Sequence, residues 1–318
     1  MKKFLNVMLP FFIMAIVVIV CIGMYLFFTT GMFKKDNDSS TLVTEKNEEN
    51  IILTQNELPR IGCSALTKQL SSAIIKNFTQ DENIVDNVFD VESTEEGFNK
   101  LIKDEVDVLI STYPTEDIIT LAKANGVDLE ITPIAKDGFV FFTNSNNRID
   151  SLKVSDVQKI YTGQIKNWSE VGGDNIDIKA FQHPENSPTQ NEMISSVMKN
   201  LKIVDAPKDV FYTKKFGEIN DLIATYDNTE GALGYSYYYE TKILYDTDGK
   251  INNTIKILKL NGGMPSYESI KNDDYPIISN YYLIRNKKNH SESLNIFVDA
   301  IMSDRGKNVI KEAGYIEN

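Results

Sequence analysis

Apolar and polar positions follow one rhythm from residue 57 onward: a short apolar run, a turn, then apolar residues three and four apart. Leu66, Leu70, Ala73, Ile74 and Phe78 take helical spacing after LPRIG, and Phe98, Leu101 and Ile102 do so after the strand-like NVFDVES. VDVLIST is a continuous apolar run of the kind buried in parallel sheets. GFVFFTN (Gly138 to Asn144), DIKAF, GALGYSYYY, TIKILKL and YPIISNYYLI read as further strands. Met193, Val197 and Met198 mark one buried helix face, and Leu294, Phe297, Ile301 and Val309 mark a C-terminal helical stretch. Alternating strands and helices predict parallel α/β layers. Three capping-box patterns fix helix starts: Ser93 with Glu96, Ser155 with Gln158, and Ser187 with Gln190. Pro188 falls at a first helical position, where its missing N–H costs least. No internal repeat is evident.

Before this region the pattern changes twice. Lys2 and Lys3 precede an apolar run from Val7 or Leu9 to Phe28, about 20 residues and enough to cross a bilayer as one helix. No small-x-small cleavage site follows, and Cys21 is preceded by Val18, Ile19 and Val20 and followed by more apolar sequence. The segment therefore reads as an uncleaved anchor rather than a signal peptide or lipoprotein signal, with the N-terminus inside and the bulk outside. Residues 36–50, DNDSSTLVTEKNEEN, are polar and lack aromatics, as expected of a solvated linker.

Composition narrows the classes. The 318 residues are 42% hydrophobic and 25% charged, the balance of an ordinary globular protein. With 45 acidic against 33 basic residues the net charge is -12, which argues against a nucleic-acid binder. It does not exclude a small anion, because backbone N–H groups and helix dipoles bind anions whatever the global charge. Cys21 in the anchor and Cys63 beyond it leave no pair for an intrachain disulfide.

Open α/β sheets hold ligands outside the carboxyl ends of their strands. Four such junctions here carry hydroxyls: Ser64 with Thr67, Ser93, Ser111 with Thr112, and Ser187 with Thr189. Each alone is an ordinary helix cap, but four together suit an oxyanion. Neither a G-x-S-x-G elbow nor a G-x-x-x-x-G-K-[ST] loop occurs, so hydrolase and NTPase chemistry lacks its motifs. A Cys63–His183 pair is the one imaginable nucleophile and base, and a buried structural thiol is the simpler reading. Two histidines, His183 and His290, without an acidic cluster call for no metal, and no cofactor is expected. The tyrosines of YSYYYE and NYYL and Trp168 of KNWSE suit sheet packing, and exposed aromatic contacts on a scaffold or adhesion protein are the alternative.

The segments PRIGCSALTKQLSSAIIKNF, AKDGFVFFTNSNNRIDSLKVSDVQKIYTGQIKNWSEVGGDN, GALGYSYYY and DRGKNVIKEAGYI resemble, in the same order, the phosphate-binding proteins that feed phosphate ABC transporters. The likeness runs from about Pro59 to about Ile316. It implies a type II periplasmic-binding-protein fold: two α/β lobes, residues 57–140 with 238–318 and residues 141–237, closing a cleft on an anion. Residues 1–28 would then be the anchor, crossing the membrane through 9–28, and residues 29–56 the linker. The protein would be a monomer without catalysis, passing phosphate to an ABC permease.

Residue by residue, the resemblance carries the family's hydroxyl contacts to Ser64, Thr67, Ser93, Ser187 and Thr189. His183 stands where the family usually has an arginine, Pro188 where it has a glycine, Thr112 where many members have an aspartate, and Cys63 at another glycine. Loss of a bidentate arginine removes hydrogen bonds of roughly 1.5 to 3 kcal/mol each, and Pro188 removes a backbone donor. Weaker or altered ligand binding, or a sensor, accessory or scaffold role, is therefore the competing expectation.

Overall fold

The computed structural model describes residues 51–81, 89–91, 93–183, 187–199, 201–205, 230–244 and 255–318. All belong to one compact unit, Asn47–Asn318. The expected membrane segment, and the linker up to residue 50, lie outside the described residues. Among those described, no helix is long and apolar enough to cross a membrane.

The strands are β1 (Ile61–Ser64), β2 (Phe89–Val91), β3 (Val108–Ser111), β4 (Leu129–Asn144), β5 (Ser151–Leu152), β6 (Lys179–Ala180), β7 (Ala232–Tyr237), β8 (Ile255–Ile257), β9 (Lys259–Leu260), β10 (Ile278–Asn286) and β11 (Ile316–Glu317). The α-helices are α1 (Lys68–Thr79), α2 (Thr94–Ile102), α3 (Glu116–Ala124), α4 (Val154–Tyr161), α5 (Pro188–Glu192), α6 (Tyr267–Lys271), α7 (Glu292–Met302) and α8 (Asp304–Glu312). A π-helical turn, Met193–Met198, continues α5, and another, Tyr239–Leu244, follows β7.

Nine strands form one sheet along the path β2-β1-β3-β10-β4-β7-β6, with β8 and β11 also on β4, while β5 and β9 pair separately. β1 runs parallel to β2 and β3. The sheet is mixed rather than parallel throughout, because β10 returns between β3 and β4 and is antiparallel to both. Apolar periodicity sets which residues are buried but carries no strand direction, so this reversal was not in the pattern.

β4 joins the two ends of the sheet. Its stretch from Leu129 to Gly138 pairs with β10, and Phe139 to Thr143 pair with β7. The apolar run Phe139–Phe142 is buried, with Phe139 and Phe141 packed against Tyr235. β3 divides its side chains in the period-two manner of a strand: Val108 and Ile110 join the main core with Leu70, Ile74 and Phe78 of α1, while Leu109 joins a smaller one with Phe98, Leu101 and Ile118. Trp168 is buried and donates to the Gly231 carbonyl at 3.2 Å, a packing role.

Two local features hold the ends of the unit. Arg305 of α8 lies over the Phe78 ring and donates to the carbonyls of Ile51 and Asn77, each at 2.6 Å, so the incoming chain is tied to the end of α1. α8 can approach α7 closely because position 306 is glycine, where a Cβ would sit 2.1 Å from the Ile301 carbonyl oxygen. One expected start moves: α4 begins at Val154, capped at Lys153, whose N–H donates to Asp156 at 3.1 Å, so Ser155 lies inside the helix instead of capping it.

Candidate functional site

Because β2, β1 and β3 are parallel, their carboxyl ends share one edge, with Ser64 opposite Val91 and Cys63 opposite Ile110. A tight turn, Ala65–Thr67, leads from β1 into α1. The buried Thr67 hydroxyl donates to the Ile110 carbonyl at 2.6 Å, accepts from the Ser64 N–H at 3.1 Å, and lies 3.1 Å from the Ser64 hydroxyl. Thr67 thus ties the end of β1 to β3, and its proton is spent on that tie. Ser93 is exposed and caps α2 by accepting from the Glu96 N–H at 3.2 Å. At the end of β3 the Ser111 hydroxyl is fully buried without a hydrogen-bond partner, and Thr112 beside it is 8% exposed.

The second group forms around the start of α5. Pro188 occupies the first helical position, and the Ser187 hydroxyl accepts from the Gln190 N–H at 3.1 Å, as the sequence predicts. The reciprocal half of the box does not form. The Gln190 side-chain oxygen instead accepts from the His183 N–H at 3.2 Å and from the Tyr235 hydroxyl. A backbone N–H can only donate, so this contact fixes which end of the amide is oxygen and turns the NH2 group away from His183. Thr189 is 3% exposed. Residues 184–186 lie outside the described residues.

His183 is buried, and its Nε2 lies 3.0 Å from the Tyr235 carbonyl oxygen. A carbonyl only accepts, so Nε2 carries the hydrogen and Nδ1 keeps a lone pair. Burial pushes the imidazole pKa down to about 4, against the opposing pull of the Tyr235 carbonyl. His183 is therefore neutral at pH 7, with its single ring N–H already engaged.

β10 stands between the two groups. Its Tyr282 pairs with Ser111 of β3, and its Ser279 pairs with Asp137 of β4. Ser64 and Thr67 are brought together, as are His183 and Ser187 through Gln190; Ser93 shares the edge of the first group from an exposed position.

Three acidic side chains gather below this stretch, and the sequence reading singled out none of them. Asp137, opposite Ser279 on β4, is fully buried and accepts from the N–H groups of Gly138 at 2.8 Å and Tyr239 at 3.0 Å and from the Tyr281 hydroxyl at 2.9 Å. Desolvation outweighs these hydrogen bonds and pushes its pKa up to about 7. Burial likewise raises Glu192, against the Ser196 and Ser279 hydroxyls that favour its charged form. Glu240 is buried and accepts from the Ser236 hydroxyl. The Tyr237 hydroxyl, buried and without a partner, feels the charges of Glu192, Asp137 and Glu240.

Cys63 is buried on β1 and His183 lies beyond β6, far apart in the strand order. No group of three or more metal-ligating side chains occurs among the described residues.

This mixed sheet, with β4 shared between two sets of strands and hydroxyls at strand ends, is an α/β type II periplasmic-binding-protein fold. Residues 59–305 match the PBP superfamily domain, and the chain belongs to that superfamily. The phosphate-binding protein PstS of Borreliella burgdorferi is 22% identical over 284 residues, covering 87% of this chain and 94% of that protein. A putative phosphate ABC transporter substrate-binding protein with bound phosphate from Clostridium perfringens superposes with a TM-score of 0.61 at 20% identity, covering 81% of this chain and 99% of the other. An ABC-type phosphate transport receptor from Vibrio cholerae gives 0.62 at 20% identity, covering 80% and 98%.

Proposed function

We propose that this chain is an extracytoplasmic solute-binding protein that captures a small oxyanion, inorganic phosphate, and delivers it to an ABC transporter. Residues 9–28 would anchor a monomer in the membrane, with residues 57–140 and 238–318 as one lobe and 141–237 as the other. The observation that carries the reading is the buried hydroxyls at the ends of β1 and β3 and at the start of α5, in a chain whose residues 59–305 match the PBP superfamily domain. In it, Ser64, Thr112, Ser187 and Thr189 supply hydroxyls to the anion, Thr67 and His183 hold the two loops in place, and Ser93 closes the edge. The relatives named phosphate-binding protein and phosphate transport receptor support the same ligand.

A second reading is favoured by one specific observation. His183 has its only ring N–H on the Tyr235 carbonyl and Pro188 has no backbone N–H, so the loop before α5 lacks two donors that the family resemblance leads one to expect. A weakened or altered ligand, or a sensor or scaffold role, fits that loss.

Thermal unfolding of the full chain with phosphate, sulfate and a phosphonate separates the two. A ligand stabilises the form that binds it by about 2.7 kcal/mol at a hundred times its Kd. Phosphate at millimolar concentration is expected to raise Tm more than sulfate. Unchanged Tm with every anion would favour the scaffold.

A further inference from the structure

The ladder between β4 and β7 ends at the pair Phe139 and Tyr237. From there the chain leaves β7 for the π-helical turn Tyr239–Leu244, and the Tyr239 N–H no longer has a strand to pair with. The Asp137 carboxyl takes it. One oxygen, Oδ1, accepts from the Tyr239 N–H at 3.0 Å and from the Gly138 N–H at 2.8 Å. The other, Oδ2, accepts from the Tyr281 hydroxyl of β10 at 2.9 Å. A single side chain thus joins β4 on its way to β7, the chain returning from β7, and β10.

Neighbouring contacts hold the same three segments from outside. The Tyr239 ring stacks on Tyr315 at 3.8 Å, next to β11, whose Ile316 pairs with Lys136 of β4. The Phe139 N–H donates to the Ile277 carbonyl at 3.0 Å, and the Phe139 carbonyl accepts from the Tyr275 hydroxyl at 3.3 Å. Position 138 is glycine, where a Cβ would sit 2.9 Å from the Ile270 Cδ1 and 3.5 Å from the Tyr238 Cβ, so its absence lets the segments lie this close. A buried carboxyl is costly in itself. An apolar side chain in its place, however, would leave two buried backbone donors without an acceptor.

We propose that Asp137 is a positioning residue that clasps the two lobe connections together, so that the lobes open and close about one axis. The inference rests on the two-lobe reading, residues 57–140 with 238–318 and residues 141–237. In that division the chain passes between lobes twice, after residue 140 and before residue 238. The backbone groups that Asp137 binds, at Gly138 and Tyr239, stand at the base of each passage. With both bases tied to each other and to β10, neither connection twists without the other, which is what a hinge needs to close along one path. Fewer open arrangements then have to be given up on binding, so the ligand meets a cleft already limited to the closing motion.

The experiment uses the full chain with Cys21→Ser and spin labels on Leu121→Cys and Gln164→Cys, one exposed position in each lobe; Cys63 is buried and escapes labelling. Pulsed dipolar spectroscopy gives the distribution of distances between the labels with and without inorganic phosphate. Residue-resolved hydrogen exchange of the unlabelled chain reads the Gly138 and Tyr239 amides. Asn keeps an oxygen for both N–H groups and turns its NH2 to the Tyr281 hydroxyl, so Asp137→Asn should match its parent in both readouts. Asp137→Ala should speed exchange at both amides at least about tenfold and broaden the distribution without phosphate at least about twofold. Phosphate should narrow it again. Unchanged widths in D137A, or D137N as broad as D137A, would overturn the clasp. If D137A does not fold, exchange in the parent decides: under the clasp the two amides open in step, and independent opening would overturn it. A parent distance that phosphate leaves unmoved would overturn the two-lobe reading and the clasp with it.

Discussion

Asp137 and Tyr281 meet side by side where β4 passes from β10 to β7: the Tyr281 hydroxyl donates to the Asp137 carboxyl at 2.9 Å, inside a fully buried patch. Backbone N–H groups, those of Gly138 and Tyr239 among them, also donate to the acid, and its pKa is nevertheless pushed up to about 7 by desolvation. Burial wins over these hydrogen bonds at the one strand shared by both ends of the sheet.

The first prediction follows from that sign. The native state holds the Asp137 proton more tightly than the unfolded chain does. Its contribution is therefore present below pH 4 and is lost as pH rises toward about 7. The displacement from 3.8 to about 7 corresponds to about 4 kcal/mol as an upper bound. Urea midpoints of Asp137→Asn should lack this decline between pH 4 and 7. An unchanged slope would show that Asp137 is not the group responsible.

His183 is expected to act in the opposite sense over the same range. Burial lowers its pKa to about 4, so its contribution is present above pH 6.5 and is lost as pH falls toward 4. His183→Asn should remove that contribution, up to about 3 kcal/mol. The two groups partly cancel in the unmodified protein, so the single variants should have steeper pH profiles of opposite slope. Denaturant titrations at half-unit pH intervals would resolve them.

Gln190 separates loop positioning from charge. Gln190→Leu leaves the His183 N–H and the Tyr235 hydroxyl without their acceptor, a loss on the order of 2 to 4 kcal/mol. Gln190→Glu keeps the acceptor but adds negative charge beside Ser187 and Thr189. The buried charge should itself lower stability at pH 7 although both donors are kept, and phosphate affinity should drop at least tenfold. Equal affinity in Q190E would remove the start of α5 from the anion site.

Thr67 supports the other group. Thr67→Val deletes the hydroxyl joining the β1 turn to the Ile110 carbonyl, which should lower stability by about 1 to 2 kcal/mol. Thr67→Ser keeps that hydroxyl and should recover most of the loss. Paired denaturation curves check it, and equal losses in both variants would assign the effect to packing of the methyl group.

Much of this was legible in the residues. The periodicity placed Leu70, Ile74 and Phe78 on the buried face of α1, and all three are fully buried. Ser93 and Ser187 cap helices as their spacing implies, because a cap is a contact across three residues. Ser155 matched the same pattern and is not a cap; Asp156 made the competing bond to Lys153. What the pattern could not carry was long-range choice. Gln190 reaches Tyr235, 45 residues away, rather than its own box. Nothing in the spacing of Asp137 marks it, because its partner across the sheet, Ser279 of β10, is 142 residues away. The tyrosines of YSYYY did declare themselves: Tyr235 and Tyr237 are core residues, and the Tyr239 ring stacks on Tyr315 at 3.8 Å.

The central claim is that the hydroxyls at the ends of β1 and β3 and at the start of α5 share one small oxyanion. Isothermal titration of the full chain with phosphate, followed by the same titration of a Ser187→Ala, Thr189→Ala double variant, tests it most directly. The expected result is saturable one-to-one binding that weakens at least a hundredfold in the double variant, with sulfate weaker than phosphate. Binding of equal strength in both chains, or none in either, would contradict it.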